Sequence, residues 1–161
     1  MTWQRPMRLY LDTPVLNFAI SEQDVAKEKE VTLILLDQIR AGKFEASISE
    51  GVLREIKKAP ENKAKDLLGL IQSMPLENLI ITSDVEALAD KYIEEKIIPL
   101  KYREDALHIA MASVYGLDVI VSWNFEHMVK VKTRREVQGT NTMMGYRSID
   151  IATPEEVIDY D

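Results

Sequence analysis

Apolar side chains fall into short uninterrupted runs, separated by longer stretches where they recur every three or four residues. The runs at 7–11 (MRLYL), 44–48 (FEASI), 79–81 (LII), 118–122 (DVIVS) and 148–151 predict strands. Thr13 followed by Pro14 reads as an N-cap with proline at the first helical position. Val31, Leu35, Leu36 and Ile39 mark a helix over 24–41, stopped at Gly42. Helices are also expected over 50–58, over 62–74 before Pro75, over 84–97 behind a Ser83/Glu86 capping box, and over 102–115 before Gly116. Residues 133–147, with Gly139, Asn141 and Gly145, read as irregular, and Thr153-Pro154-Glu155-Glu156 opens a short last helix. Strands alternating with helices predict an α/β fold: a parallel sheet of about five strands with helices on both faces, in one domain over 1–161. Ligands of such sheets bind beyond the carboxyl ends of the strands, so the residues just after each strand carry the most information about function.

Composition narrows the chemistry. With no cysteine among 161 residues, disulfides, thiolate zinc sites and cysteine nucleophiles are excluded, and a reducing, cytoplasmic setting is expected. No apolar run approaches the roughly 18 residues of a membrane span, and the N-terminus shows no signal-peptide core. The net charge of −7 argues against a general nucleic-acid binder, although a local basic patch can still hold phosphates. The one dense basic run is Lys130-Val131-Lys132-Thr133-Arg134-Arg135. It reads either as a solvated turn or as a clamp in which Lys130, Lys132, Arg134 and Arg135 hold a phosphate backbone.

Asp12 directly follows the first strand and Asn124 follows the run 118–122, while Glu55 and Asp105 lie in helices able to face the same edge. Three converging carboxylates repel one another unless a hard divalent cation sits among them. Mg2+ or Mn2+ takes oxygen ligands, lowers the pKa of a bound water and neutralises charge on a phosphoryl group. Spacing alone is a modest signal, because 27 of 161 residues are acidic. Asp12 could instead cap the next helix, Glu55 could sit on an exposed face, and Asp105 could be a first-turn acid. His108, on the face of Asp105, reads as a structural histidine beside the site, and His127 as a surface or capping residue. Trp123 and Phe125 read as core. Thr13 and Ser122 are candidate substrate contacts, with a strand-end hydroxyl as the plain alternative.

Four segments, in order, resemble the motifs of PIN-domain nucleases: Leu11-Asp12-Thr13-Pro14-Val15-Leu16-Asn17, then 48–56 with its acid at Glu55, then 104–112 with its acid at Asp105, then Val121-Ser122-Trp123-Asn124-Phe125 in a variant form. Gly145-Tyr146 and 151–155 resemble the ending of that variant group. The resemblance implies a PIN-like three-layer fold and metal-dependent cleavage of RNA. Among such proteins many are toxins paired with an antitoxin, and many form homodimers. Asn124 departs from the aspartate common at that position, which leaves the alternative of a decayed RNA- or protein-binding module. A small-molecule phosphohydrolase ranks last, because Pro14 stands where that scheme needs a second aspartate. No glycine-rich nucleotide loop is present.

Overall fold

The computed structural model describes residues 5–23 and 26–160. The chain runs β1 (Met7–Leu11), α1 (Thr13–Ile20), α2 (Ala26–Arg40), β2 (Phe44–Ser49), α3 (Glu50–Lys57), α4 (Glu61–Gln72), β3 (Leu76–Leu79) and α5 (Ser83–Glu94). A 3-10 turn (Leu100–Tyr102) leads into α6 (Arg103–Val114), β4 (Val119–Val121), α7 (Val131–Met143), β5 (Asp150–Ala152) and α8 (Pro154–Val157). All strand pairings are parallel, in the order β3-β2-β1-β4-β5. A short run such as Leu9-Tyr10-Leu11 is wholly buried, as expected of a parallel strand covered on both faces.

The strand order decides where a site can form. The chain begins at the central β1, builds outward to β2 and β3, then returns to lay β4 and β5 on the other side. β1 and β4 therefore flank a topological switch point, and the crevice beyond their carboxyl ends is the expected ligand position. The backbone N–H of Asp12 reaches across it to the Val121 carbonyl at 3.4 Å. Helix α6 packs against both strands, and its residues Ala106–Ser113 are all buried, so beyond its first turn the helix is enclosed on every side.

Several elements differ from the sequence reading. Asp12, not Thr13, caps α1, accepting the Val15 N–H at 3.2 Å. The expected start of α2 at residue 24 lies outside the described residues. β3 occupies 76–79 rather than 79–81; Ile80 has left the sheet and is 60% exposed. Thr82 caps α5 in place of the expected Ser83/Glu86 box, accepting from the Val85 N–H. The largest difference is 133–147, most of which is helical in α7. The buried Asn141 amide supplies the reason: it donates to Ser113 Oγ at 2.9 Å and accepts from the Tyr92 hydroxyl, tertiary bonds that override its turn preference. The short last helix has the expected capping box, with Thr153 and Glu156 bonded reciprocally.

Candidate active site

Asp12 ends β1 fully buried, at 1% exposure, so its carboxylate must be satisfied by the protein or stay protonated. Burial pushes its carboxyl up to about 6; His108, the Ser122 hydroxyl and the Val15 N–H oppose the shift, and Asp105 adds to it. Asp105, in the first turn of α6, is also raised, by burial first and by the charge of Glu55, against the pull of His108 and His127. Glu55, late in α3, behaves in the opposite way. Burial would raise it, yet the hydrogen bond and charge of His108 and the Thr13 hydroxyl outweigh that and hold it low. Two of the three acids thus feel another member directly, which requires them to share one region.

Each acid has one oxygen held by the scaffold. Val15 N–H holds Asp12 Oδ1, and Asn124 Nδ2 donates to Asp105 Oδ2 at 3.1 Å. Glu55 Oε1 takes the Thr13 hydroxyl at 3.0 Å and His108 Nε2 at 2.6 Å. Behind Glu55 a buried chain continues, with His108 Nδ1 2.5 Å from the Tyr10 hydroxyl and Tyr10 2.7 Å from Ser49 Oγ. Ser49 Oγ also accepts the Gly51 N–H at 3.1 Å as the cap of α3. One assignment satisfies every donor: Ser49 donates to Tyr10, Tyr10 to His108 Nδ1, and His108 Nε2–H to Glu55. Protonating His108 would turn that chain around and leave the Ser49 hydrogen without an acceptor. The charges of Glu55, Asp12 and Asp105 nevertheless raise the His108 proton affinity, against burial, which lowers it.

A glycine permits this approach. A Cβ on Gly51 would stand 3.3 Å from Ser49 Oγ, tight enough to disturb the cap, and in ordinary contact with His108 Cε1 at 3.6 Å. The surface pair Arg54–Glu104, with Arg54 Nη2 at 3.0 Å from both carboxylate oxygens, joins α3 to α6 above the same point.

The donor set suits a hard divalent cation: the acids and the Asn124 amide offer oxygen only, and two of the acids have raised proton affinities that a cation would reverse. Among the described residues, no three acidic or histidine side chains close on one point as direct ligands. Magnesium retains several waters, so the protein need not supply a full set. Residues Asp12, Glu55 and Asp105 would hold such an ion, directly or through water.

The remaining candidates are distributed unevenly. Thr13 and Ser122, the candidate substrate contacts, are buried, at 6% and 0% exposure. Thr13 orients Glu55, while Ser122 accepts the Asn124 N–H at 3.0 Å and supports Asp12. Asn124 also accepts the His127 N–H at 3.0 Å, so its amide bridges its own loop to Asp105. Lys130, Lys132 and Arg135 are exposed at the start of α7. Arg134 instead lines a cleft of about 310 Å3 with Met7, Val119 and Asp150, the first residues of β1, β4 and β5. Trp123 is buried, its indole N–H donating to Thr32 at 2.9 Å, but Phe125 is 59% exposed and not core. His127 stacks on Tyr102 with ring centroids 3.9 Å apart. Glu50, at the start of α3, accepts the Ile81 N–H at 2.9 Å. Sequence reasoning missed Tyr10 and Ser49, which look like ordinary strand residues.

No family model and no curated protein matches the sequence. The structure is similar to the crystal structure of VapBC2 from Rickettsia felis bound to a DNA fragment from their promoter. The two agree with a TM-score of 0.59 at 16% identity, over 91% of this chain and 98% of that chain. At that identity the likeness shows the fold: a PIN-like α/β sheet with the order found here. Among the described residues, no helix is long and apolar enough to cross a membrane.

Proposed function

We propose that this chain is a divalent-metal-dependent endoribonuclease whose site is built on Asp12, Glu55 and Asp105. One observation carries the reading: a carboxylate buried at the switch point, with a pKa near 6, is electrostatically coupled to a second acid on another element. Such an arrangement is costly for a structural acid and useful for holding a cation. Bound Mg2+ or Mn2+ supplies a Lewis acid for the phosphoryl group and acidifies water. The chain's own groups do the rest. Thr13 and His108 fix the Glu55 rotamer, Ser122 supports Asp12, and Asn124 orients Asp105 and can accept or donate to water or substrate. Lys130, Lys132 and Arg135 are the proposed phosphate contacts. Catalysis of this type rests on positioning and charge stabilisation, which a buried, bonded set of acids supplies.

A role as the toxin of a toxin–antitoxin pair in the cytoplasm, with an antitoxin partner and as a homodimer, is part of the same proposal. It is supported by the motif resemblance and by the fold shared with VapBC2. The test is cleavage of a defined RNA with Mg2+ or Mn2+. Activity should vanish with chelator and in Asp12→Asn and Asp105→Asn while the fold persists; full activity in either variant with chelator present refutes the mechanism.

A second reading, a catalytically decayed module that binds RNA or protein, is favoured by Asn124 and by the open spacing of the acids. It predicts RNA binding without metal-dependent turnover and no response of the melting temperature to Mn2+.

A further inference from the structure

The loop that carries Asn124 also presents aromatic faces beside the acids. Trp123 is pinned in the core by its bond to Thr32, and Asn124 is pinned to Asp105. The next residue, Phe125, turns outward and is 59% exposed. Its ring is held rather than loose, packing on Trp123 with centroids 6.2 Å apart at 56°. Three residues on from Asn124, His127 stacks on Tyr102, and Lys101 Nζ lies 5.6 Å from the Tyr102 ring centroid. His127 is close enough to Asp105 to draw its carboxyl downward. More than half of this phenyl ring, one residue from the candidate catalytic amide, stays in water, and that part gains nothing from folding.

We infer that Phe125 is a stacking platform for an unpaired nucleobase next to the scissile phosphate. The inference rests on the ribonuclease reading and gives that site a substrate contact of defined chemistry. The electrostatics call for one. With a net charge of −7, the chain offers a phosphate backbone one dense basic run from which to release counterions. Base–aromatic stacking is the other general source of affinity for single strands, and it works for every base. It also demands a base splayed from its helix, so the platform selects unpaired over duplex RNA at that nucleotide.

The test uses fluorescence anisotropy with a short single-stranded RNA and full-length protein in the cleavage-disabled Asp12→Asn background. Phe125→Ala should weaken binding by about tenfold or more, the size of one base–aromatic stack, and Phe125→Tyr should restore it. An RNA with one abasic nucleotide, scanned along the strand, should reproduce the loss at a single position, where Phe125→Ala adds nothing further. Equal affinity of Phe125→Ala for intact RNA overturns the platform alone, as does a loss indifferent to every abasic position. A change of oligomeric state in Phe125→Ala, read by light scattering, also overturns it and assigns the ring to a contact between copies. Failure of the parent protein to bind any RNA overturns both the platform and the ribonuclease reading.

Discussion

His108 Nε2 lies 2.6 Å from Glu55 Oε1, and the imidazole that makes this contact is itself held from behind by Tyr10 at 2.5 Å. Glu55 is therefore not a free helix-surface acid. Residues from β1, β2, α3 and α6 converge on one carboxylate oxygen through side chains, which converts the rigidity of the sheet into a fixed rotamer at the site.

Tyr10→Phe isolates that support. The substitution keeps the ring and deletes the hydroxyl, leaving His108 Nδ1 and the Ser49 hydroxyl buried without each other's link. Each orphaned group costs about 1–3 kcal/mol. The midpoint of urea unfolding should fall accordingly, and cleavage should drop further than the stability loss alone explains at temperatures where the variant is fully folded. Unchanged cleavage by folded Tyr10→Phe would separate the relay from function.

Asp12 and Glu55 should respond to pH in opposite directions. The Asp12 carboxyl titrates near 6 in the fold against an ordinary 3.8. Between those values the folded chain binds more protons than the unfolded chain, so stability declines as pH rises through that window and the loss is complete above about 6. Asn still caps a helix and carries no charge. Metal-free Asp12→Asn should therefore exceed the wild type at pH 7.5 by up to about 3 kcal/mol, an advantage that fades toward pH 4. Glu55 sits below its ordinary 4.5, so its contribution is present above that value and lost as pH falls through its folded pKa. Glu55→Gln should be destabilising at pH 7.5. Urea melts at both pH values check the pair.

Glycine substitutions give an internally controlled comparison. Nothing stands within 4 Å of a Cβ placed on Gly69 of α4 or Gly139 of α7. Alanine at either should stabilise by about 0.5–1 kcal/mol through backbone entropy and helix propensity. Gly51→Ala has the same propensity gain but crowds the Ser49 hydroxyl that caps α3 and bonds Tyr10. It should show no net gain in thermal stability and reduced cleavage.

The basic run should reveal itself through salt. If Lys130, Lys132 and Arg135 neutralise phosphates, replacing each by alanine should flatten the dependence of log Kd on log salt by about 0.7 for single-stranded RNA. Arg134→Ala should change the slope less, because that side chain lines the cleft at the strand starts. Equal effects from all four positions would contradict this division.

The edge of the sheet where Asp12 and Asn124 stand was legible because β1 and β4 announce themselves as apolar runs, and topology makes the ends of such strands the place for a ligand. Of the groups behind Glu55, His108 was legible as a histidine beside the site, but Tyr10 and Ser49 were not: they meet each other and His108 across 39 and 98 residues of sequence, a closeness set only by packing. β3 was displaced in the reading because Leu79-Ile80-Ile81 looks more strand-like than Leu76-Glu77-Asn78, although the sheet pairs the latter with β2. Helix α7 was hidden by Gly139 and Asn141, whose local preferences lose to the buried bonds of the Asn141 amide. Capping and catalysis were weighed as rivals at Asp12. Oδ1 serves the cap, and capping one N–H leaves the carboxylate its remaining acceptor capacity.

In the proposed site, Asp12, Glu55 and Asp105 share one divalent cation. Calorimetric titration of the metal-free protein with Mn2+ at pH 7.5 tests this sharing without reference to any substrate. One saturable site per chain is expected, weakening sharply in Asp12→Asn, Glu55→Gln and Asp105→Asn alike and fading as pH falls below about 6. Absence of saturable binding, or a site that survives all three substitutions, would contradict it.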